Sequence, residues 1–367
     1  MSGQEQEKSA GEGDKGAKVT EATATATATA AEAHVEGNPG GFDPRKEEEP
    51  PFLVVWCLDA WHLVFDRVAK ALREEEQLRP AERYELRMFD PQRGTLTQQV
   101  TRARALVPTT GRVSAEAIDA AADLLLITQP ASGLDNVDLE AARKRGIPVC
   151  NAPGVNAASV AEAALMSLLL LARRFRELER AFAERKIGHP LGMQLSGKTL
   201  GLVGGEGQVG RRLASAARAL GMRVLSVGSR SGEEDWETLL TASDAVSLHC
   251  PLSAATRHLI DADKLRRMKP GVLLVNFSRG AVVDEAALLR ALESGHVGGA
   301  ALDVFEAEPA DPASALASHP RVIAMPHCGV ATEEVAEAYA ELLVANIVAA
   351  RQGRLEDLKF RVGEKKT

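Results

Sequence analysis

From residue 51 onward, short apolar runs alternate with segments whose apolar residues recur every three or four positions. Phe52-Leu-Val-Val-Trp-Cys57 predicts a strand, residues 62–77 a helix, and Tyr84-Glu-Leu-Arg-Met-Phe89 a second strand. Leu124-Leu-Leu-Ile-Thr128 and Pro148-Val-Cys150 continue the alternation, and residues 158–185 are rich in helix formers. Thr199-Leu-Gly-Leu-Val-Gly204 predicts a buried strand, 211–220 a helix stopped by Gly221, and Arg223-Val-Leu-Ser-Val227 the next strand. Three further apolar runs follow, over 272–276, 300–302 and 322–325, before a long helical stretch at 331–352. Strands that alternate with helices predict α/β architecture, with parallel sheets covered by helices.

Two features of this pattern carry chemistry. Gly205-Glu-Gly207-Gln-Val-Gly210 lies between a predicted strand and a predicted helix, the context in which Gly-x-Gly-x-x-Gly binds a dinucleotide. Gly205 allows the tight turn, Gly207 lets the backbone approach a pyrophosphate, and Gly210 permits close helix–strand packing. The last three apolar runs each lead into one ionisable group, giving Arg279, Glu308 and His327. Each alone would be an ordinary loop residue. At the carboxyl ends of successive parallel strands, they converge on one crevice as an anion clamp, a proton donor and a group that tunes the donor. Arg279 offers a planar fork to a carboxylate, and an imidazole such as that of His327 suits general acid–base work near neutrality. Glu308, bonded to the other ring nitrogen, would favour the imidazolium and fix the ring. Hydride transfer to a 2-oxo acid needs this set.

The motifs occur in a specific order. Gly133-Leu-Asp-Asn136-Val-Asp138, Asn151-Ala-Pro153-Gly-Val-Asn156 and Val160-Ala-Glu162 precede the glycine turn. Ser247-Leu-His249-Cys-Pro251-Leu252, Met268-Lys-Pro-Gly271 and the three catalytic segments follow it. Over roughly residues 52–353 the chain resembles the D-isomer-specific 2-hydroxyacid dehydrogenase family. The resemblance implies a Rossmann-type dinucleotide domain over 151–330, inserted in a flavodoxin-like substrate domain formed by 51–150 plus 331–358. Both would be doubly wound parallel-sheet domains, with the active site between them. It implies Arg279, Glu308 and His327 as catalytic residues and Asp303 as a group that helps orient the nicotinamide. Gln208, Val209, Cys250, Pro251, Thr256, Phe277, His327 and Gly329 would complete the cofactor contacts made by the three glycines. Backbone amides near Ser132 and Gly133, with Arg279, would hold the substrate carboxylate. A homodimer formed largely through the cofactor domain is also implied.

Cofactor choice has its own signal. An NAD-binding unit normally places Asp or Glu at the end of the second strand, on the ribose hydroxyls. Here 223–227 leads into Gly228-Ser229-Arg230-Ser231, whose guanidinium and hydroxyls suit a 2′-phosphate. NADP is therefore expected ahead of NAD. The turn departs from the family in carrying one extra residue, Gly204 before Gly205, and in placing Glu206 where an apolar residue is usual. Glu206 lies either near the cofactor phosphates or toward solvent. Few residues follow the last helical stretch, too few for the regulatory domain that many phosphoglycerate dehydrogenases of the family carry. Glu308 stands where formate-type relatives have an amide. The expected activity is reduction of glyoxylate or hydroxypyruvate, and the alternative is a corepressor-like dinucleotide sensor with little turnover.

Composition narrows the partners. Most of the formal net charge of −7 lies in residues 1–50, so the body is nearly neutral and offers no basic footprint for nucleic acid. No apolar stretch is long enough to span a bilayer. Cys57, Cys150, Cys250 and Cys328 show neither metal-ligand spacing nor a disulfide framework, and no metal is expected. Residues 1–50 form a tail whose Thr-Ala repeat over 20–30 cannot bury a core, which predicts disorder. The tail lacks the features of a secretory or organellar signal, so a cytoplasmic location is expected.

Overall fold

The computed structural model describes residues 49–58 and 60–363; the tail expected to be disordered lies, through residue 48, outside these. The first sheet contains β1 (Phe52–Trp56), β2 (Tyr84–Met88), β3 (Ala105–Val107), β4 (Leu126–Thr128) and β5 (Val149–Cys150). All its pairings are parallel, in the order β2-β1-β3-β4-β5, which is the flavodoxin-like winding. The central strand β3 was not foreseen from the sequence. Its three fully buried residues sit between Arg104 and Pro108, too short an apolar run to show a period.

The second sheet contains β6 (Thr199–Val203), β7 (Arg223–Val227), β8 (Ala245–Leu248), β9 (Val272–Asn276), β10 (Val297–Leu302) and β11 (Val322–Ala324). Its order is β11-β10-β9-β8-β6-β7, again all parallel. The winding reverses between β6 and β8, the switch point beside which α/β sheets bind ligands. Every residue of β6 and β9 is buried, as both faces of a covered parallel sheet require. β7, at one edge, is only partly covered, with Val227 its one buried residue. β10 begins earlier than the apolar run from Ala300 predicts, because Gly298 and Gly299 extend the strand without hydrophobic side chains.

The predicted helical stretch at 158–185 is two helices, Ala157–Ala172 and Phe175–Ala183. They are separated by Arg174, whose φ of 54° is left-handed and cannot continue a right-handed helix. Helix Ala157–Ala172 packs on helix Gln208–Ala219 and on β9 and β10, so the chain crosses there from the first sheet to the second. Helix Glu333–Arg351 makes the return, packing on helix His62–Leu78 and on β4. Its Thr332 hydroxyl accepts from the Val335 amide, an N-cap that satisfies one free donor of the first turn. Farther along, the fully buried Asn346 donates to Thr128 Oγ1 at 3.2 Å and accepts from the Lys359 amide at 2.7 Å. The return helix and the segment after it are thus both tied to β4. No helix among the described residues is long and apolar enough to cross a membrane.

Close backbone approach holds together the loops that follow β9 and β10. Gly280, directly after Arg279, lies so near the Phe305 carbonyl and the Glu306 amide that a Cβ would overlap them. Gly280→Ala must therefore push the two loops apart, an overpacking cost of about 1–3 kcal/mol. Gly228→Ala, with open space around the new methyl, serves as the control. Thermal unfolding should show a lower Tm for the first variant and an unchanged one for the second. An unchanged Tm for Gly280→Ala would contradict this packing.

Candidate active site

The ends of β9, β10 and β11 deliver three side chains to one place. β9 leads into Arg279, β10 into Asp303 and the turn that carries Glu308, and β11 into His327. His327 Nδ1 and Glu308 Oε2 are 2.8 Å apart. Both side chains are roughly three-quarters buried, so the pair is shielded from screening without being sealed off. Burial opposes ionisation of Glu308, but the His327 hydrogen bond and charge, the Phe305 amide and the Arg279 charge outweigh it. The carboxyl is held below its ordinary range. With Nδ1 engaged, His327 keeps Nε2 for a ligand.

His327 itself has a left-handed φ of 53°, which a non-glycine residue adopts only when its surroundings impose it. The constraint comes from Asp303. Its nearly inaccessible carboxylate accepts from the amides of Cys328 at 2.7 Å and Gly329 at 2.9 Å, and its carbonyl accepts from the His327 amide at 2.8 Å. Gly329 packs against Phe277, where a Cβ would come within 2.6 Å of the ring. Asp303, expected at the nicotinamide, therefore has both carboxylate oxygens engaged in holding the histidine loop. Burial, followed by the charge and hydrogen bond of Asp303, raises the Cys328 thiol above its ordinary range, which leaves it a poor nucleophile beside His327.

Arg279 meets a partner that sequence reasoning missed. Its Nε lies 3.2 and 3.0 Å from the two carboxylate oxygens of Asp135, and a terminal nitrogen lies 3.0 Å from the first of them. Another terminal nitrogen donates to the Ser278 carbonyl at 2.8 Å. One edge of the guanidinium is thus taken, and N–H donors remain on its two terminal nitrogens. Asp135 follows β4 and Arg279 follows β9, so the ion pair joins segments from the two sheets. Asp135 lies inside the Gly133-Leu-Asp-Asn136 motif, two residues beyond the expected substrate loop, and that spacing was the available signal. Of the expected substrate residues, Gly133 lies against the Arg279 guanidinium. Ser132 Oγ is 3.2 Å from the Ala152 carbonyl and accepts from the Gly154 amide at 3.3 Å.

A cavity of about 490 Å³ brings these groups together. Ser132, Gly133 and Asp135 line it together with Arg279, Asp303, Glu308 and His327. Val209, Cys250, Pro251 and Phe277 from the expected cofactor set also line it, and His249 lies beside them. Burial pushes His249 down to about 4, so it is neutral near neutrality. Thr256 is otherwise engaged. Its hydroxyl accepts from the Ser253 amide and donates to the Pro251 carbonyl, both at 2.7 Å, bracing its own loop.

The glycine turn suits a dinucleotide. Helix Gln208–Ala219 starts three residues earlier than the predicted 211–220, so Gln208, Val209 and Gly210 form its first turn. A Cβ on Gly210 would come within 2.5 Å of Gly205 Cα and 2.7 Å of the Gly204 carbonyl oxygen, so the helix can sit this close to β6 only with glycine there. Gly207 caps the helix without a side-chain acceptor, which leaves first-turn amides and the positive dipole end for an anion. The extra residue is absorbed by Gly204 at φ +84°. Gln208 reaches toward Gly154 of the crossover segment. At the end of β7, Ser231 Oγ accepts from the Gly228 amide at 3.1 Å, and Arg230 is paired with Glu206 at 3.1 Å. Ser229 follows Gly228 in the same exposed turn.

Comparison with known proteins agrees with this geometry. Residues 165–329 match the family described as "D-isomer specific 2-hydroxyacid dehydrogenase, NAD binding domain". The chain is 41% identical over 285 residues to a glyoxylate reductase of Thermococcus litoralis, covering 72% of this chain and 86% of that protein. It is 39% identical over 234 residues to a hydroxypyruvate reductase of Thermotoga maritima, covering 61% of this chain and 76% of the relative. Among solved structures, a glyoxylate reductase of Paecilomyes thermophila superposes with a TM-score of 0.71 at 30% identity, covering 87% of this chain and all of that one. Two parallel sheets, a glycine turn at the switch point and a carboxylate-backed histidine facing an arginine thus coincide with that likeness, and the chain belongs to the D-isomer-specific 2-hydroxyacid dehydrogenase family, as an NAD(P)-dependent oxidoreductase.

Proposed function

We propose that this dehydrogenase reduces glyoxylate or hydroxypyruvate, with NADPH preferred over NADH. The observation that carries the reading is the convergence of Arg279 with the Glu308–His327 pair in one small cavity beside the glycine turn. The names of the relatives at about 40% identity support the choice of substrates. In this reading Arg279 binds the substrate carboxylate through its remaining N–H donors, together with amides near Ser132 and Gly133. His327 donates a proton from Nε2 to the oxo oxygen, and Glu308 compensates the imidazolium charge. Arg279 and His327 both oppose the negative charge that grows on that oxygen. The reduced nicotinamide, when bound, supplies the hydride. The backbone of Gly205, Gly207 and Gly210 would hold the dinucleotide's pyrophosphate, and Val209, Cys250, Pro251 and Phe277 along the cavity wall would flank the nicotinamide.

The proposed division is a substrate domain of 51–150 plus 331–358 and a dinucleotide domain of 151–330, each carrying one sheet. A homodimer is proposed as well. Phe182, Ile187 and Leu191, on and just after the second crossover helix, are 87%, 95% and 81% exposed, an unusual apolar load for a free surface. Ile187→Asp with Phe182→Asp should shift sedimentation from dimer to monomer. A wild-type monomer would refute the dimer.

Initial rates with NADPH and NADH, in parallel with each oxo acid, test the activity. Fast NADPH oxidation with glyoxylate or hydroxypyruvate is expected, and no turnover with either nucleotide would remove the substrate assignment. Glu308→Gln tests the pair. Removing the carboxylate that holds His327 Nδ1 at 2.8 Å should lower kcat/KM by about 10²–10⁴-fold. A rate within a few-fold of wild type would remove Glu308 from this role.

A further inference from the structure

The sequence places Arg230, and no acid, at the end of β7, but the fold puts an acid there from another element. Gly205 packs on the Ser226 side chain of β7, where a Cβ on the glycine would overlap the serine hydroxyl. The lengthened turn therefore lies across the end of that strand. Glu206, the next residue, places a carboxylate oxygen 3.1 Å from Arg230 Nη2. Its backbone carbonyl accepts from Arg211 Nε at 2.6 Å, which fixes the turn that carries it. The Glu206 and Arg230 side chains are 74% and 85% exposed, so folding has little need of the pair and both remain open to a ligand.

Rossmann units place an acid here for the adenosine ribose hydroxyls of NAD, or an arginine for the 2′-phosphate of NADP. This chain holds one of each, in contact. We propose that Glu206 is a cofactor-specificity residue that, paired with Arg230, makes the site serve both dinucleotides. The carboxylate accepts from the ribose hydroxyls of NADH. The same carboxylate repels a 2′-phosphate and occupies the guanidinium that would bind it. Glu206 thereby moderates the NADP preference that Gly228-Ser-Arg-Ser alone would impose.

This inference rests on the dinucleotide reading of the turn, and binding can be tested apart from turnover. NADPH and NADH are titrated by their own fluorescence against wild type, Glu206→Gln and Arg230→Ala, without oxo acid. Glu206→Gln should tighten NADPH, weaken NADH and change the ratio of the two Kd values by about tenfold, an effect that shrinks with added salt. Its Tm should equal that of wild type. A ratio that stays within twofold of wild type, or equal shifts for both nucleotides, would overturn the proposal. The NADP preference is judged separately, by the wild-type ratio and by selective loss of NADPH affinity in Arg230→Ala. A wild type that prefers NADH leaves the Glu206 comparison intact, because that comparison reads only the change between variants.

Discussion

The buried Asp303 carboxylate is the contact on which the geometry of the candidate site depends. It accepts two consecutive backbone amides of the loop after β11 while its own carbonyl receives the His327 amide. These three bonds over-determine a short loop and hold His327 in a left-handed conformation that its side chain would otherwise disfavour. In that conformation the ring meets Glu308, which arrives from the neighbouring strand. An aspartate at the end of β10 thus sets the position of a histidine at the end of β11. Parallel pairing of the two strands makes this possible, since it brings both carboxyl ends to one edge.

Arg279 depends on the fold in a different way. Its ion pair with Asp135 joins the loop after β9 to the loop after β4, one from each sheet. The pair leaves part of the guanidinium engaged and part free, so one residue can link the two halves of the cleft and still present donors to an anion. The backbone contact of Gly280 with the loop after β10 holds the base of this arginine against the segment that leads to Glu308. Arg279, His327 and Glu308 are therefore linked through a few loop contacts at the strand ends.

The elements with strong periodicity were legible without coordinates. β1, β2, β6, β7, β9 and the helices near 62–78 and 333–351 follow directly from short apolar or alternating runs and from helical spacing. The three catalytic candidates were legible because each follows such a run. β3 was not, since Ala-Leu-Val between Arg104 and Pro108 has no period to read. The break at Arg174 was also hidden, because nothing in that residue type demands a left-handed φ. Asp135 stood in a recognised motif, but its partner lies 144 positions away along the chain.

The sequence by itself determined the α/β class, the dinucleotide turn and the identity of the arginine, glutamate and histidine, because these depend on local spacing and side-chain chemistry. Tertiary structure alone decided that Asp303 holds the histidine loop, that Asp135 engages Arg279 and that Glu206 faces Arg230. Each of these pairs joins side chains or backbone from different strand ends. Such pairings are set by how parallel strands are ordered in each sheet and by which loops of the two sheets meet, long-range arrangements that composition and periodicity do not encode.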